Sequence, residues 1–295
     1  MKIATYWHEG MRRVGRLFAD GACVSPFLIG GRAYENGALA LFERLAAGEE
    51  LELGDPVPFA AVQLDAPLPR PRRNIFCVGK NYHAHAREFA QSGFDTSLAK
   101  GGDEVPTEPI IFSKVPESVI APGAAIRIPA GVSDAVDYEA ELAVVIGRGG
   151  RGIPAGRAME HVWGYTIVND VTARDWQQRH KQWLMGKSFD TFCPMGPWLV
   201  SADEFDGADT RVRCWVNGEL RQDARTTDLI FPIPKLIETI SAGITLYPGD
   251  IIATGTPAGV GIGFQPPRYL QPGDLVRIEI DGIGVLENPV VLGQG

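Results

Sequence analysis

Alternating hydrophobic and polar positions run through most of the chain and predict a protein built mainly of short β-strands. Near the N-terminus the alternation covers residues 2–7, 13–18 and 22–26, and a helical period follows at 39–47. Prolines at every second position from 67 to 71 keep that stretch extended and predict a linker or domain seam.

The pattern after this linker predicts further strands separated by a few short helices. The strands are expected at 74–79, 136–147 and 165–169. The helices are expected at 172–179, at 234–241 and at 82–91, the last with Asn81 as its N-cap. Residues 92–108 are rich in glycine and poor in apolar side chains, which predicts a mobile loop.

The composition is that of an ordinary globular protein. The 295 residues are 45% hydrophobic and 22% charged, and the net charge is −8 without any basic cluster. Binding to nucleic acid or to an anionic membrane surface is therefore not expected. No apolar run reaches the length of a membrane span, and the N-terminus lacks the apolar core of a signal peptide. Four scattered cysteines are typical of free thiols, so we expect a cytoplasmic protein.

Three acidic residues share one face of the predicted strand 136–147. Because side chains alternate along a strand, Asp137, Glu139 and Glu141 point to the same side, and the other side is apolar. Carboxylates that are close together at a buried surface repel one another unless a cation or protons neutralise them. A hard divalent cation bound by carboxylate oxygens would do so, and a solvated acidic strand end is the alternative.

Asp170 is a second candidate, because it lies where the predicted strand 165–169 gives way to a helix. That helix carries Arg174 and Gln177, which are three residues apart and therefore share one face. The alternative is that Asp170 or Thr172 simply caps the helix.

His85 and Glu88 lie three residues apart on the predicted helix 82–91. A carboxylate beside an imidazole orients the ring and raises its basicity, which suits a general base, although such pairs are also common surface contacts. Lys187 lies among apolar neighbours, where it either stabilises a developing oxyanion or extends to solvent.

The glycine-rich segment 254–263 lacks the Gly-Lys-Ser/Thr ending of a P-loop and the surrounding βαβ unit of a Rossmann fingerprint. Its backbone N–H groups are instead candidates for binding a substrate carboxylate. The chain has neither a G-x-S-x-G nor an H-E-x-x-H motif, so serine-hydrolase and zinc-peptidase chemistry are not expected.

The order of these motifs along the chain resembles the fumarylacetoacetate hydrolase family, and in particular its acylpyruvate-hydrolase-like branch. The matching blocks are 79–88, 137–142, 169–177, 186–190 and 254–261. The resemblance covers residue 73 to the C-terminus. It implies an α+β, β-rich fold, a mixed β-sandwich roll with a small N-terminal αβ domain. The domains are expected at 1–70 and 73–295, and the protein is expected to be a homodimer.

The resemblance also implies roles for the candidate residues. Mg²⁺ or Mn²⁺ is expected at Glu139, Glu141 and Asp170. The catalytic residues are expected to be His85, as a general base oriented by Glu88, and Lys187. The residues matching Arg174, Gln177 and Thr256 are expected to hold the oxygens of a small 2-oxo acid.

The function that follows is metal-dependent hydrolysis of a carbon–carbon bond in an acylpyruvate or a related 2,4-dioxo acid. The alternatives within the family are decarboxylation of an oxaloacetate-type acid and isomerisation, tautomerisation or hydration of a small 2-oxo acid, since all of these stabilise an enolate. A non-catalytic ligand-binding member of the family is a further alternative. The presence of His85 and Glu88 argues against it.

Overall fold

The structure is a computed structural model that describes residues 1–18, 21–29, 35–92 and 105–293. Within these residues, strands outnumber helices. The strands are β1 (Lys2–His8), β2 (Met11–Leu17), β3 (Cys23–Pro26), β4 (Val57–Pro58), β5 (Gln63–Leu64), β6 (Ile75–Gly79), β7 (Ile110–Lys114), β8 (Val119–Ile120), β9 (Ile126–Pro129), β10 (Val136–Asp137), β11 (Ala140–Ile146), β12 (Val162–Asn169), β13 (Thr172–Ala173), β14 (Cys193–Ser201), β15 (Arg211–Val216), β16 (Glu219–Arg225), β17 (Ile251–Ala253), β18 (Leu275–Ile280) and β19 (Gly284–Gly293). The helices are α1 (Leu39–Ala46), α2 (His83–Gln91), α3 (Arg174–His180), α4 (Leu184–Lys187) and α5 (Ile233–Ser241).

The strands of the described residues form one large sheet and two smaller ones. The large sheet has 12 strands in the order β4-β3-β2-β1-β14-β12-β11-β17-β6-β7, with β5 added to β1 and β8 added to β14. A five-stranded sheet has the order β16-β15-β18-β19-β9, and β10 pairs with β13 alone. This strand-rich architecture with few short helices confirms the predicted α+β class.

The main core lies between the central strands of the large sheet and the five-stranded sheet. Leu142, Val144 and Ile146 of β11 pack in the same cluster as Val212 of β15 and Ile278 of β18. The alternate β11 residues, such as Ala143 and Val145, face a second cluster that includes α1. Because both faces of β11 are covered, the residues at its ends are buried regardless of their polarity.

The predicted single strand 136–147 is interrupted, and this corrects the sequence interpretation. Strand β10 ends at Asp137 and pairs with β13, whereas β11 begins at Ala140 and pairs with β12. Asp137 therefore does not continue the face that carries Glu141, and it has different partners, described below.

The start of helix α2 also differs from the prediction. The N-cap is Tyr82, without a side-chain capping bond, and not Asn81. The Asn81 side chain instead donates to the carbonyl oxygens of Thr254 at 2.8 Å and Phe231 at 3.1 Å. Asn81 thus fixes the chain before α2 to two distant segments.

The N-terminal strands extend the large sheet, because β1 pairs with β14. The division into domains at 1–70 and 73–295 stays a prediction. Most of the predicted mobile loop 92–108 lies outside the described residues, since residues 93–104 are not described. Among the helices that the structure describes, none is long and apolar enough to cross a membrane.

Candidate metal centre and active site

Three carboxylates converge where strand β11 begins and strand β12 ends. Ala140 pairs with Asn169 in the β11–β12 register, so Glu139 and Asp170 lie just beyond this pair. The Asp170 N–H donates to the Glu139 carbonyl oxygen at 2.8 Å. Glu139, Glu141 and Asp170 are all buried, and each offers a carboxylate oxygen within 4.8 Å of the others. The register of two adjacent strands therefore assembles the acidic triad.

Three buried cations surround the triad. The Lys187 ammonium lies 2.8 Å from Glu139 Oε2 and 2.8 Å from Asp170 Oδ2. The Arg174 guanidinium lies 2.7 Å from Glu139 Oε1, and Lys114 Nζ lies 2.7 Å from Asp170 Oδ1. One of the two interpretations of the sequence was that Lys187 extends to solvent, and the structure shows that it does not.

Glu141 differs from the other two carboxylates because it lacks a cationic partner of its own in the described structure. Its Oε2 accepts a hydrogen bond from the Gly255 N–H at 2.8 Å, but its buried Oε1 has no partner among the described residues. Burial raises the pKa of Glu141 well above its ordinary value, and the charges of Asp170 and Glu139 raise it further. Burial also acts on the Glu139 carboxyl, but there Lys187 and Arg174 prevail and lower the pKa.

These observations fit a hard divalent cation. An unpartnered carboxylate oxygen, buried beside two other carboxylates, is costly unless something neutralises it. Carboxylate oxygens are the ligands that Mg²⁺ and Mn²⁺ prefer. The predicted triad Glu139, Glu141 and Asp170 thus forms a group that could bind a divalent metal ion.

His85 and Glu88 lie on α2, and His85 lines the same cavity as Glu139 and Glu141. His85 Nδ1 lies 3.1 Å from Glu88 Oε2, and the ring is buried. The other Glu88 oxygen accepts a hydrogen bond from the Gly259 N–H at 2.9 Å. Since a carboxylate only accepts hydrogen bonds, Nδ1 carries the proton and Nε2 is left as the basic atom.

The three residues predicted to hold the substrate also line the same cavity. Arg174 Nη1 donates to Gln177 Oε1 at 3.1 Å, while the buried Arg174 Nη2 has no partner in the part of the chain that is described. The Thr256 hydroxyl donates to the Ala140 carbonyl oxygen at 3.0 Å. A buried guanidinium nitrogen without a partner is suited to an anionic ligand.

The cavity is enclosed by residues from β6, β7, α2, α3 and the glycine-rich segment. Its walls are Val78, Gly79, Lys80, His85, Phe89, Phe112, Glu139, Glu141, Arg174, Gln177, Trp183, Lys187 and Thr256. Its volume is about 10 Å³, which is room for roughly one water molecule. A substrate therefore enters only if some of these walls move.

Four backbone N–H groups of the glycine-rich segment 254–263 bind carboxylates of the protein itself, so these four are not available to a substrate carboxylate. The N–H groups of Gly261 and Ile262 donate to Asp137 at 2.7 and 3.0 Å. Together with the bonds from Gly255 to Glu141 and from Gly259 to Glu88, they hold three acidic side chains in place. The segment is a scaffold for the site.

Two buried polar residues of the site had no signal in the sequence. Lys114 is fully buried and also donates to the Val171 carbonyl oxygen at 3.0 Å. The Gln222 amide donates to Thr256 Oγ1 at 2.7 Å and accepts from the Ala140 N–H at 3.0 Å. A single polar residue within an alternating strand gives no indication of its long-range partners.

Comparison with known proteins is consistent with this arrangement. A family model described as fumarylacetoacetate (FAA) hydrolase C-terminal matches residues 74–291. The chain belongs to this family. Its sequence is 50% identical to oxaloacetate tautomerase YisK of Bacillus subtilis over 230 residues, which are 78% of this chain and 73% of that protein.

Two solved structures of the family show the same fold. Fumarylacetoacetate hydrolase (EaFAH) from Exiguobacterium antarcticum is 40% identical, with a TM-score of 0.83 over 99% of this chain and 100% of the other. The 2-hydroxyhepta-2,4-diene-1,7-dioate isomerase from Mycobacterium marinum is 35% identical, with a TM-score of 0.77 over 100% of both chains. These structures confirm the predicted family fold.

The prediction of acylpyruvate hydrolysis is wrong. Curated relatives from a bacterium, an amphibian and mammals, 44–50% identical to this chain, are named oxaloacetate tautomerases. The structural neighbours include an isomerase. The physical reason for the error is that hydrolysis and tautomerisation of a 2-oxo acid use the same enolate-stabilising site, so the motifs do not distinguish them.

Proposed function

We propose that this protein interconverts the enol and keto forms of a small 2-oxo dicarboxylic acid of the oxaloacetate type. The observation that carries the proposal is that His85, paired with Glu88, lines the same cavity as Glu139 and Glu141, two members of the acidic triad. The 50% identity to an oxaloacetate tautomerase supports the same reaction class.

Glu139, Glu141 and Asp170 would hold Mg²⁺ or Mn²⁺, and the chemistry that such an ion supplies is Lewis-acid polarisation of the 2-oxo group. Lys187 lies beside the triad, and its ammonium stabilises negative charge on the substrate oxygen at C2. The unpartnered Nη2 of Arg174 receives an oxygen of the adjacent carboxylate.

His85 exchanges the proton at C3 in this proposal. Tautomerisation moves one proton between C3 and the oxygen at C2, without adding water or breaking a carbon–carbon bond. Nε2 of His85 carries the proton in both directions, from the C2 hydroxyl to C3 in ketonisation and from C3 to the C2 oxygen in enolisation, while Glu88 holds the ring through Nδ1. Gly259 fixes Glu88 in turn, so the orientation of the base depends on the glycine-rich segment.

The test compares His85→Ala with His83→Ala. His83 lies on the same helix and is exposed, so its substitution removes an imidazole without changing the cavity. We expect His85→Ala to lower the enzymatic rate by about 10²–10⁴-fold, the usual contribution of a general base. His83→Ala should match the wild type. Enol-oxaloacetate is added with Mg²⁺ or Mn²⁺, and the loss of its ultraviolet absorbance is followed against the buffer rate.

Two results would refute the proposal. One is a wild-type protein that leaves the buffer rate of enol loss unchanged with either metal ion. The other is a His85→Ala protein as active as the wild type. Pyruvate is measured in the same samples, because release of pyruvate without faster ketonisation indicates decarboxylation instead.

The assembly, the location and the domain division are also proposals. The family resemblance supports a homodimer and domains at 1–70 and 73–295, and the free, scattered cysteines support a cytoplasmic location. Sedimentation equilibrium tests the homodimer, cell fractionation tests the cytoplasmic location, and limited proteolysis near residue 70 tests the domain division.

A further inference from the structure

Two threonine hydroxyls continue the hydrogen bonding of strand β11 beyond the point where its neighbour β17 ends, at Ala253. The Thr254 hydroxyl donates to the Leu142 carbonyl oxygen at 2.8 Å. The Thr256 hydroxyl donates to the Ala140 carbonyl oxygen at 3.0 Å. Side chains therefore satisfy the backbone of β11 where this strand approaches the acidic triad, and not every main-chain N–H group of the segment is needed for that purpose.

The N–H groups of Gly255 and Thr256 are the ones that β11 does not use. Gly255 has φ = 106°, a conformation that favours glycine, and its N–H donates to Glu141 Oε2 at 2.8 Å. The Thr256 N–H has no acceptor among the described residues. Thr256 is nevertheless only 2% exposed, and it lines the active-site cavity. A buried N–H group without an acceptor is costly, so this one is suited to an oxygen of a ligand.

Gln222 of β16 determines where the Thr256 hydroxyl donates. The Gln222 amide oxygen accepts from the Ala140 N–H at 3.0 Å, so the amide nitrogen is the atom that faces Thr256. This nitrogen donates to Thr256 Oγ1 and to the Pro257 carbonyl oxygen, both at 2.7 Å. Because the hydroxyl accepts from Gln222, its single proton goes to the Ala140 carbonyl oxygen. No hydroxyl proton is left for a substrate carboxylate, which only accepts hydrogen bonds.

We propose that Gln222 is a positioning residue of the active site, which holds the Thr256 hydroxyl against β11 and leaves the Thr256 main-chain N–H as the donor to a substrate carboxylate. The inference rests on the proposed function and names a group that binds its substrate. Gln222 is fully buried, and its partner Ala140 stands between Glu139 and Glu141. One amide thus fixes the distance between the donor and the two acidic residues.

Nuclear magnetic resonance of protein labelled with ¹⁵N-threonine tests the donor. Oxalate is the probe, because its two adjacent carboxylates resemble a 2-oxo carboxylate, and it is added to protein that already contains Mg²⁺. The Thr256 signal is assigned by its absence from Thr256→Ser, which keeps the hydroxyl. The Thr256 amide proton should move downfield when oxalate binds. The amide proton of Thr254, which donates to the Leu142 carbonyl oxygen at 3.0 Å, is the control and should stay in place.

Gln222→Met tests the positioning role, because it keeps the length of the side chain and removes the amide. The dissociation constant of oxalate, measured by calorimetry with Mg²⁺, should rise about 10-fold, since a displaced N–H forms a weaker hydrogen bond to a charged ligand. KM for enol-oxaloacetate should rise by a similar factor. The change in kcat should stay below about threefold, because the N–H binds the substrate and the transition state alike.

Thr226→Val is the matched control for a loss of buried hydrogen bonding. Thr226 directly follows β16 and is buried, and its hydroxyl accepts from the Thr210 N–H at 2.9 Å. The substitution should lower the free energy of unfolding in urea without changing KM or the oxalate affinity. A purely structural role of Gln222 would give the same result for Gln222→Met.

A Thr256 amide proton that oxalate leaves in place would overturn the inference, and this measurement uses the wild type, so it does not depend on the folding of a variant. Oxalate affinity and KM unchanged in Gln222→Met would overturn it too, as would a wild type that binds no oxalate with either Mg²⁺ or Mn²⁺. If oxalate shifts the Thr256 amide and Gln222→Met weakens its binding, but the wild type does not accelerate ketonisation, the proposed function fails and the inference about the binding group stands.

Discussion

Replacing Glu141 by Gln tests the metal centre, because the exchange should have opposite effects with and without metal ions. The substitution keeps the shape of the side chain and leaves the amide oxygen to accept from the Gly255 N–H, which donates to Glu141 Oε2 at 2.8 Å in the wild type. It replaces the unpartnered buried oxygen by an amide nitrogen that can donate to the neighbouring carboxylates. An unsatisfied buried polar atom costs about 1–3 kcal/mol. The free energy of unfolding in EDTA should therefore rise by about that amount.

With metal ions the wild type should be more stable to unfolding than Glu141→Gln, the opposite of the order in EDTA. A metal ion at 100 times its dissociation constant stabilises the wild type by about 2.7 kcal/mol, and the variant should lose this increment because it lacks a charged ligand. Urea unfolding followed by circular dichroism, in EDTA and in Mn²⁺, gives all four free energies. Glu117→Gln, at an exposed position, is the control and should change neither. If the variant were less stable than the wild type in EDTA and gained equally from Mn²⁺, the triad would not be the metal centre.

Two further substitutions test how the site is supported. Lys114→Met leaves the buried Asp170 without one of its cations, so the free energy of unfolding in urea should fall by about 3–5 kcal/mol; an unchanged value would show that the ion pair does not stabilise the fold. In Gly259→Ala the new Cβ would clash with the Arg221 carbonyl oxygen, at a backbone φ of 101°. We expect a loss of about 1–3 kcal/mol in thermal unfolding and slower ketonisation, because the Gly259 N–H moves away from Glu88. Activity at the wild-type level would contradict the scaffold role of the segment.

The elements of the core could be predicted from the sequence because their signal is local. Alternate positions of β11, such as Leu142 and Val144, fall in the main core cluster as the period-two pattern indicates. The helix carrying His85 and Glu88 was likewise predicted within one residue of its observed start. The break between β10 and β11 was not predicted, because Asp137 and Glu139 preserve the alternation across it.

The acidic triad was indicated by the family resemblance and not by its three residues taken one by one. Taken alone, Glu139 and Glu141 fit a solvated strand end better than a metal site, and Asp170 fits a helix cap at least as well. In the structure α3 has Ala173 as its N-cap, without a side-chain capping bond, so Asp170 does not cap it. Only the order of the motifs along the chain indicated that these residues belong to one site.

The sequence by itself determined the strand-rich class and the main helices, because each depends on neighbours within a few positions, and the order of its motifs along the chain indicated the candidate ligands. The tertiary structure decided which of these residues meet. Glu139 and Asp170 are adjacent only because Ala140 pairs with Asn169, and Lys114 reaches Asp170 from another strand of the large sheet. The partners of Glu141 and Glu88 in the glycine-rich segment are likewise distant in the chain. Such contacts arise from strand register and from the need to satisfy buried charges, and neither leaves a periodic trace in the sequence.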